Sequence, residues 1–514
     1  MIPIAWHNAI RSVGQEFDDI EHCRRSLSNY SIARGFNFEF VKNERKRVTA
    51  KCKAANCEWM VHCTRRRDND RFYVKKIYSS HSCLGGGIGK EGYQRASRKW
   101  NANQLKTILK EQSTYRPINF QKKLKMEFGL DIPYHRIWWG KKLAQRELYG
   151  DTKFSYDQLR WYKNKVIETN PGSIVHLEHE DGRFTRVFVS YYACWKGFME
   201  GCRPILFLDG THLFDRYKGT LLAATALNGD GGMFPVAICI CGTENESNWE
   251  WFLECIRDIL FNDEDPYTPD DELVLISDRD KGLQNSVKKC FPWSHHSYCI
   301  RLLYGWLTSN VAESFNAWIK EARYLPITQT INNIRKKIMR MSFERREASH
   351  KWTTTFVPTV EEHLIQINEQ SRCLSAIPST TGRYEVYDLP TVEVDLNERT
   401  CTCHEWQVVG LPCKHAATVI RQNMDTLYSY ISHYFSVETY RKCYSFPIYP
   451  IPDDDKPYID DENMVIRPPK TSILRGRPRT KRIPSGLNPG KELRCSRCQQ
   501  YGHNRRTCRQ PIAD

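Results

Sequence analysis

Two short apolar runs that each stop at an aspartate constrain this 514-residue chain more than any other feature. The first, in "RPILFLDGTHLF", reaches Asp209, and the second, "ELVLIS", stops at Asp278. Between them "TLLAATALNGDGGMFPVAICICG" supplies two further strand-like runs joined by a glycine-rich turn at Asn228 to Gly232. "NWEWFLECIRDIL" then brings Trp249, Phe252, Leu253, Ile256 and Ile259/Leu260 to near-helical spacing. The pattern predicts three antiparallel strands, a helix and a fourth strand, with carboxylates at the ends of the first and fourth strands.

That layout resembles an RNase H-like core, within an α+β multidomain chain. Its chemistry would be metal-dependent: hard Mg²⁺ or Mn²⁺ needs carboxylate oxygens converging from rigid elements, and strand ends supply rigidity. The bland alternative is turn chemistry, since Asp before Gly or Arg at a strand end is a common turn former.

The chain has 20 cysteines. No apolar stretch reaches spanning length, because the run around Leu221 to Ile240 is broken by Asn228, Gly229 and Asp230. The N-terminus lacks a signal-peptide pattern, so the sequence predicts an intracellular protein with no membrane partner and reduced thiols. Their spacing then points to metal. Cys52, Cys57, His81 and Cys83 form two close pairs on either side of the strand-like "RFYVKKIY", a zinc tetrahedron or else a chance grouping. Cys63 is left out, and interleaved Lys, Arg and aromatic residues favour contact with DNA. Cys401, Cys403, Cys413 and His415 form a C-x-C-x9-C-x-H array whose ligands come from a strand end and a helix start, with His404 a bystander. Cys495, Cys498, His503 and Cys508 follow C-x2-C-x4-H-x4-C, with Gly502 permitting the turn. The last two arrays resemble a SWIM zinc finger and a CCHC zinc knuckle. The knuckle implies single-stranded nucleic acid, with Tyr501 as a stacking surface, or a zinc-stapled protein-binding button.

The net charge of +16 is concentrated. Residues 42–76 hold 12 basic against 4 acidic residues and residues 467–509 hold 13 against 1, which leaves the remainder net acidic. Such segments gain affinity for phosphate backbones by counterion release, whereas scattered charge would merely solubilise. Within a Pro-rich stretch, Arg475, Arg477, Arg479, Lys481 and Arg482 of "RGRPRTKR" resemble an AT-hook, whose arginines enter the minor groove. A nuclear-import signal is the duller reading. Both place the chain with DNA in the nucleus.

"GCRPILFLDGTHL", "YKGTLLAATALNGDGGMFPVAICICGTENESNWEWFL", "LVLISDRDKGL" and "LTSNVAESFNAWIKEARYLPI" together resemble the Mutator-like element (MULE) transposases. The resemblance implies a zinc DNA-binding domain over 1–90, related to WRKY and GCM fingers, and a helical linker domain over 100–180. A transposase core would span 185–330 and a helical segment 331–390. The SWIM finger would occupy 391–425, the basic segment 467–485 and the knuckle 493–510. It also implies a DDE triad of Asp209, Asp278 (rather than Asp280) and Glu313, up to three structural zinc ions, terminal inverted repeats as the DNA partner, and a homo-oligomer as one assembly.

The likeness breaks after Cys299, where Leu302 stands in place of the family's C-x2-H histidine and the usual helical insertion before Glu313 is missing. Asn310 and Glu313 also fit a capping box on a helix whose apolar stripe is Val311, Phe315, Trp318, Ile319 and Ala322. The sequence therefore predicts an intact core with impaired strand transfer. The alternatives are a domesticated, non-catalytic transcriptional regulator and a zinc-dependent RNA-binding adaptor.

Overall fold

The computed structural model describes residues 4–83, 93–112, 115–261, 273–298, 310–457 and 465–470. The basic segment, the knuckle, Cys299 and Leu302 lie outside them. All elements below belong to one compact unit, Met1–Pro469.

The N-terminal module follows from one alternating pattern. Helices α1 (Ile4–His7) and α2 (Ile20–Arg34) precede four strands, β2 (Phe38–Asn43), β3 (Arg47–Cys52), β4 (Met60–Arg65) and β5 (Phe72–Tyr78), with the short β1 (Glu16–Phe17) pairing on β5. The antiparallel order is β1-β5-β4-β3-β2. Asp19 caps α2 by accepting from the His22 amide, and Gly35, at φ 72°, ends it in the left-handed region. One sheet face closes over Leu27, Val48, Val61, Val74 and Trp59, all fully buried.

Three helices follow: α3 (Arg98–Glu111), α4 (Pro117–Phe128) and α5 (Tyr134–Tyr149). They share a separate core around Trp100, Leu105, Leu124 and Ile137. Gly140 lets α5 approach α3, since a Cβ there would lie 2.6 Å from Cβ of Asn101.

Helix α6 (Gln158–Thr169) instead packs Leu159, Tyr162 and Val166 onto the central domain. That domain holds a seven-stranded sheet of β6 (Ile174–Glu180), β7 (Arg183–Ser190), β8 (Ile205–His212), β9 (Thr220–Leu227), β10 (Met233–Cys241), β11 (Val274–Ser277) and β12 (His295–Tyr298), in the order β12-β11-β8-β9-β10-β7-β6. The hairpins β8–β9 and β9–β10 are antiparallel, as the glycine-rich turn predicts, while β11 runs parallel to β8 and β12 parallel to β11. Strands β6 and β7 extend the sheet beyond β10, so β6 falls inside the 100–180 stretch read as helical. The overlooked signal is Asp181-Gly182 between two β-rich runs, a hairpin turn with both residues at positive φ.

Helix α7 (Tyr192–Gly201) precedes β8. Helices α8 (Glu246–Leu260) and α9 (Lys281–Cys290) cover one face with Trp249, Phe252, Leu253 and Val287. On the other face lie α10 (Asn310–Trp318) and α11 (Ile327–His350), through Phe315, Ile319, Ile331 and Ile334. Helix α12 (Pro358–Ser371) leads to a four-stranded antiparallel sheet, β13 (Ser375–Thr380), β14 (Arg383–Tyr387), β15 (Val392–Asp395) and β16 (Thr400–Cys401), followed by α13 (Glu405–Val409), α14 (Lys414–Gln422) and α15 (Val437–Cys443). Strands β13 and β14 thus occupy the end of the 331–390 stretch read as helical, because β14 needs β15 as its partner and belongs to the metal-binding module. Among the described residues no helix is long and apolar enough to cross a membrane.

Candidate functional site

Asp209 sits near the end of β8, on the central strand pair of the sheet, and Asp278 follows the last residue of the neighbouring parallel strand β11. Two parallel neighbours bring their C-terminal ends to one edge, so both aspartates reach the same place. Helix α10 lies against β8, β9 and β10, and carries Glu313 in its first turn. Burial, the nearby Asp278 and then Glu313 raise the Asp209 carboxyl, against hydrogen bonds from Gly210 and Asn316, to about 6. Asp278 and Glu313 therefore both lie within electrostatic reach of Asp209. Asp280, two residues beyond Asp278, caps α9 by accepting from the Leu283 amide at 3.0 Å, and its own amide donates to Oδ1 of Asp278 at 3.0 Å. Behind Asp278, the Ser277 hydroxyl meets Nε2 of His296 at 2.9 Å, tying β11 to β12. His212, at the exposed end of β8, contributes its carbonyl to Arg323.

Three residues of this site escaped the sequence reading. Nδ2 of Asn316, one turn beyond Glu313, donates to Oδ2 of Asp209 at 2.7 Å. The carboxylate of Glu244 lies over Gly210, where a Cβ would come within 2.6 Å of Oε1, and burial and then Asp278 push its carboxyl pKa above the usual range. Arg323 donates to the His212 carbonyl at 2.8 Å within the electrostatic reach of Asp209. The signal for Asn316 was present in "SNVAESFN", where positions three apart share a helix face. Glu244 and Arg323 reach the site only through tertiary packing.

On α10, Val311 and Phe315 are buried, Trp318 is partly buried and Glu313 is exposed; the helix stops at Trp318, short of the predicted stripe, and the buried Ile319 and Ala322 lie in the turn and short 3-10 segment that follow. The helix begins at Asn310 itself.

Both described Cys/His arrays close into clusters with ligand atoms within 4.8 Å of one another. Cys52 ends β3, Cys57 lies in the turn before β4, and His81 and Cys83 follow β5. Cys83 Sγ is 3.9 Å from Cys52 Sγ, 3.4 Å from Cys57 Sγ and 3.6 Å from His81 Nδ1. A tetrahedral ion with Zn–S near 2.3 Å sets its ligand atoms roughly 3.7 Å apart, so the donor set fits zinc. Burial opposes ionisation of Cys57, but backbone donors at Trp59 and Cys83, with Cys83 and His81 beside it, bring the thiol down to about 5. Phe36 and Trp59 enclose the His81 ring at 4.3 Å and 5.5 Å.

In the second cluster Cys401 comes from β16, Cys403 from the following turn, and Cys413 caps α14, whose first turn carries His415. His415 Nδ1 stands 3.7 Å from Cys401 Sγ and 3.8 Å from Cys413 Sγ. Its other nitrogen meets Oδ2 of Asp388 at 2.9 Å, the outer carboxylate that orients metal-binding histidines. His404 is the left-handed residue before α13, outside the cluster. Zinc at these two centres would add a cross-link between a strand end and the turn or helix start that follows it.

No curated protein matches the chain. Three family models do: MuDR family transposase over residues 8–74, MULE transposase domain over 205–305 and SWIM zinc finger over 387–423. The first spans the basic β-sheet module and the third the Asp388–His415 centre. The second includes Asp209 and Asp278 and ends before Glu313. With these three modules in this order, the chain belongs to the Mutator-like element transposase family.

Proposed function

We propose that this transposase-family chain cuts DNA at a two-metal site formed by Asp209, Asp278 and Glu313 within an RNase H-like core, and that the missing insertion impairs strand transfer. The observation that carries the reading is the placement of Asp278, after β11, and Glu313, on α10, within electrostatic reach of Asp209 on β8, whose carboxyl is raised first by burial and then by these two. Three antiparallel strands followed by two strands parallel to the first support the core assignment. Two divalent cations bound there would activate the attacking oxygen and stabilise the leaving one. The chain's own work is positional: Asn316 and the Gly210 amide hold the two oxygens of Asp209 in place, and Arg323 supplies a cation at the edge of the site. The zinc modules and the basic terminal segments hold DNA, with element ends as the target and the nucleus as the compartment.

The test is nicking of terminal-repeat duplex by purified protein in Mg²⁺ or Mn²⁺. Cleavage without joined product, abolished by Asp209→Ala, is expected. Cleavage that persists in Asp209→Ala would sink the metal-site assignment, and efficient joining would sink the impairment. Leu302 in place of the family histidine favours a second reading, a DNA-binding regulator without catalysis. That reading predicts duplex binding with no cleavage in any metal.

A further inference from the structure

A cavity of about 1140 Å³ opens between α5 and the turn that follows β8. On the α5 side, Trp138 and Trp139 stand edge to face at 4.8 Å and are 38% and 49% exposed. Across the opening Phe214, 50% exposed, lies tilted against Tyr324 at 4.9 Å between ring centres and under the Arg323 guanidinium. Two indole rings and a phenyl ring exposed together around one opening form an apolar patch rimmed by polar residues, the kind of surface that marks a binding groove.

The charge on the walls selects the occupant. Lys99 and Arg146 already meet Glu21 and Asp151. Arg98, Lys142 and Arg216 also line the cavity, and among the described residues none of the three has a carboxylate within ion-pair distance. Arg98 and Lys142 each approach an indole face at 5.9 Å, so cations and flat aromatic surfaces alternate along one wall. Burial and then Lys142 push the Lys141 ammonium down to about 8, and a phosphate beside it would restore its charge. The backbone from Asp209 to Phe214 is nearly extended, which sets the cleft roughly 16 Å from the carboxylates along β8.

From this arrangement we infer that the cleft binds an unpaired DNA strand, stacking its bases on Trp138, Trp139 and Phe214 and taking its phosphates on Arg98, Lys142 and Arg216. A duplex offers no free base faces to stack on, whereas an unpaired strand offers one at every nucleotide. The inference rests on the cleavage reading for why a strand arrives there, but its test is binding alone.

Fluorescent oligodeoxythymidylate is titrated into the full chain bearing Cys495→Ser and Cys498→Ser, which silence the knuckle, with and without the cleft substitutions. The double variant Trp138→Ala/Trp139→Ala is expected to weaken binding by roughly tenfold to a hundredfold, on the stacking scale of one or two bases. Trp138→Phe/Trp139→Phe should restore most of it, which a merely misfolded protein could not mimic. Lys142→Glu should lower affinity and reduce the slope of log affinity against log salt by about one. Photocrosslinks from iodouracil oligomers should map to residues 134–146. Wild-type affinity in the double variant, an equal loss for blunt duplex, or a variant-sensitive preference for oligouridylate would overturn the assignment. Asp209→Ala should cleave nothing yet bind the oligomer normally. If instead the wild type fails to cleave while the tryptophan effect persists, the cleavage reading falls and the cleft stands.

Discussion

The side-chain amide of Asn316 donates to Oδ2 of Asp209 at 2.7 Å, a single bond that ties α10, which carries Glu313, to β8, which carries Asp209. Asp209 is the most buried of the three carboxylates, so the bond both places it and lowers the cost of its charge. Asn316→Ala should destabilise the protein by about 1.5–3 kcal/mol, the scale of a hydrogen bond to a charged group. It should also reduce the thermal stabilisation by Mn²⁺. A stability loss with unchanged Mn²⁺ response would make Asn316 a structural tie alone.

Glu244 adds a fourth negative charge beside Asp209 and Asp278, held there because Gly210 has no side chain. Glu244→Gln removes repulsion in the metal-free protein and should raise its melting temperature in EDTA, while weakening stabilisation by Mn²⁺. Gly210→Ala should displace the flexible Glu244 carboxylate and produce the same pair of shifts with little change in fold. Opposite signs for the two variants would show that Glu244 does not act through that site.

Asp215 gives a pH-dependent stability with a definite sign. Burial pushes its carboxyl up to about 6, against a bond from the Arg216 amide and the fields of Lys142 and Arg216, with Asp151 adding to the rise. A folded-state value above the unfolded one means that the folded protein binds the proton more tightly, so ionisation costs stability as pH rises from about 4 through 6. Asp215→Asn should therefore stabilise the protein by up to about 3 kcal/mol at pH 7.5 and leave it unchanged at pH 3.5. Urea unfolding at both values checks this, and a gain of equal size at low pH would contradict it.

How much of this was legible in the sequence depended on whether a signal was local. Strands β8 to β11 and helix α8 declared themselves through run length, the Asn228–Gly232 turn and the spacing of Trp249, Phe252 and Ile256, because their burial is continuous. Both Cys/His clusters were legible because zinc ligands come in close pairs on turns. Strands β6, at the edge of its sheet, and β14, inside its own, were missed because each buries a single residue, so neither has the continuous apolar run that marks a buried strand. Glu244, Arg323 and Asp388 belong to their sites only by long-range packing, which no spacing rule reaches.

Asp388 is the clearest case, and its removal tests the second zinc centre. It precedes β15, while its partner His415 lies on α14, and its carboxylate also meets the Lys414 ammonium. The Lys414 ammonium and then the hydrogen bond to His415 hold it well below the usual carboxylate range, so it is ionised at neutral pH. An ionised acceptor on Nε2 fixes the tautomer in which Nδ1 faces Cys401 and Cys413. Asp388→Ala should lower zinc affinity roughly tenfold to a hundredfold, read by competition with a chromogenic chelator. Asp388→Asn keeps the shape and an acceptor oxygen but loses the charge, and should fall between that variant and the wild type. Because Lys414 loses the same partner, Lys414→Ala is the needed control: it should leave zinc affinity within about twofold of wild type, since the ammonium touches no ligand atom. A Lys414→Ala protein that loses zinc as readily as Asp388→Ala would place the effect in the local fold of α14 rather than in the orientation of His415.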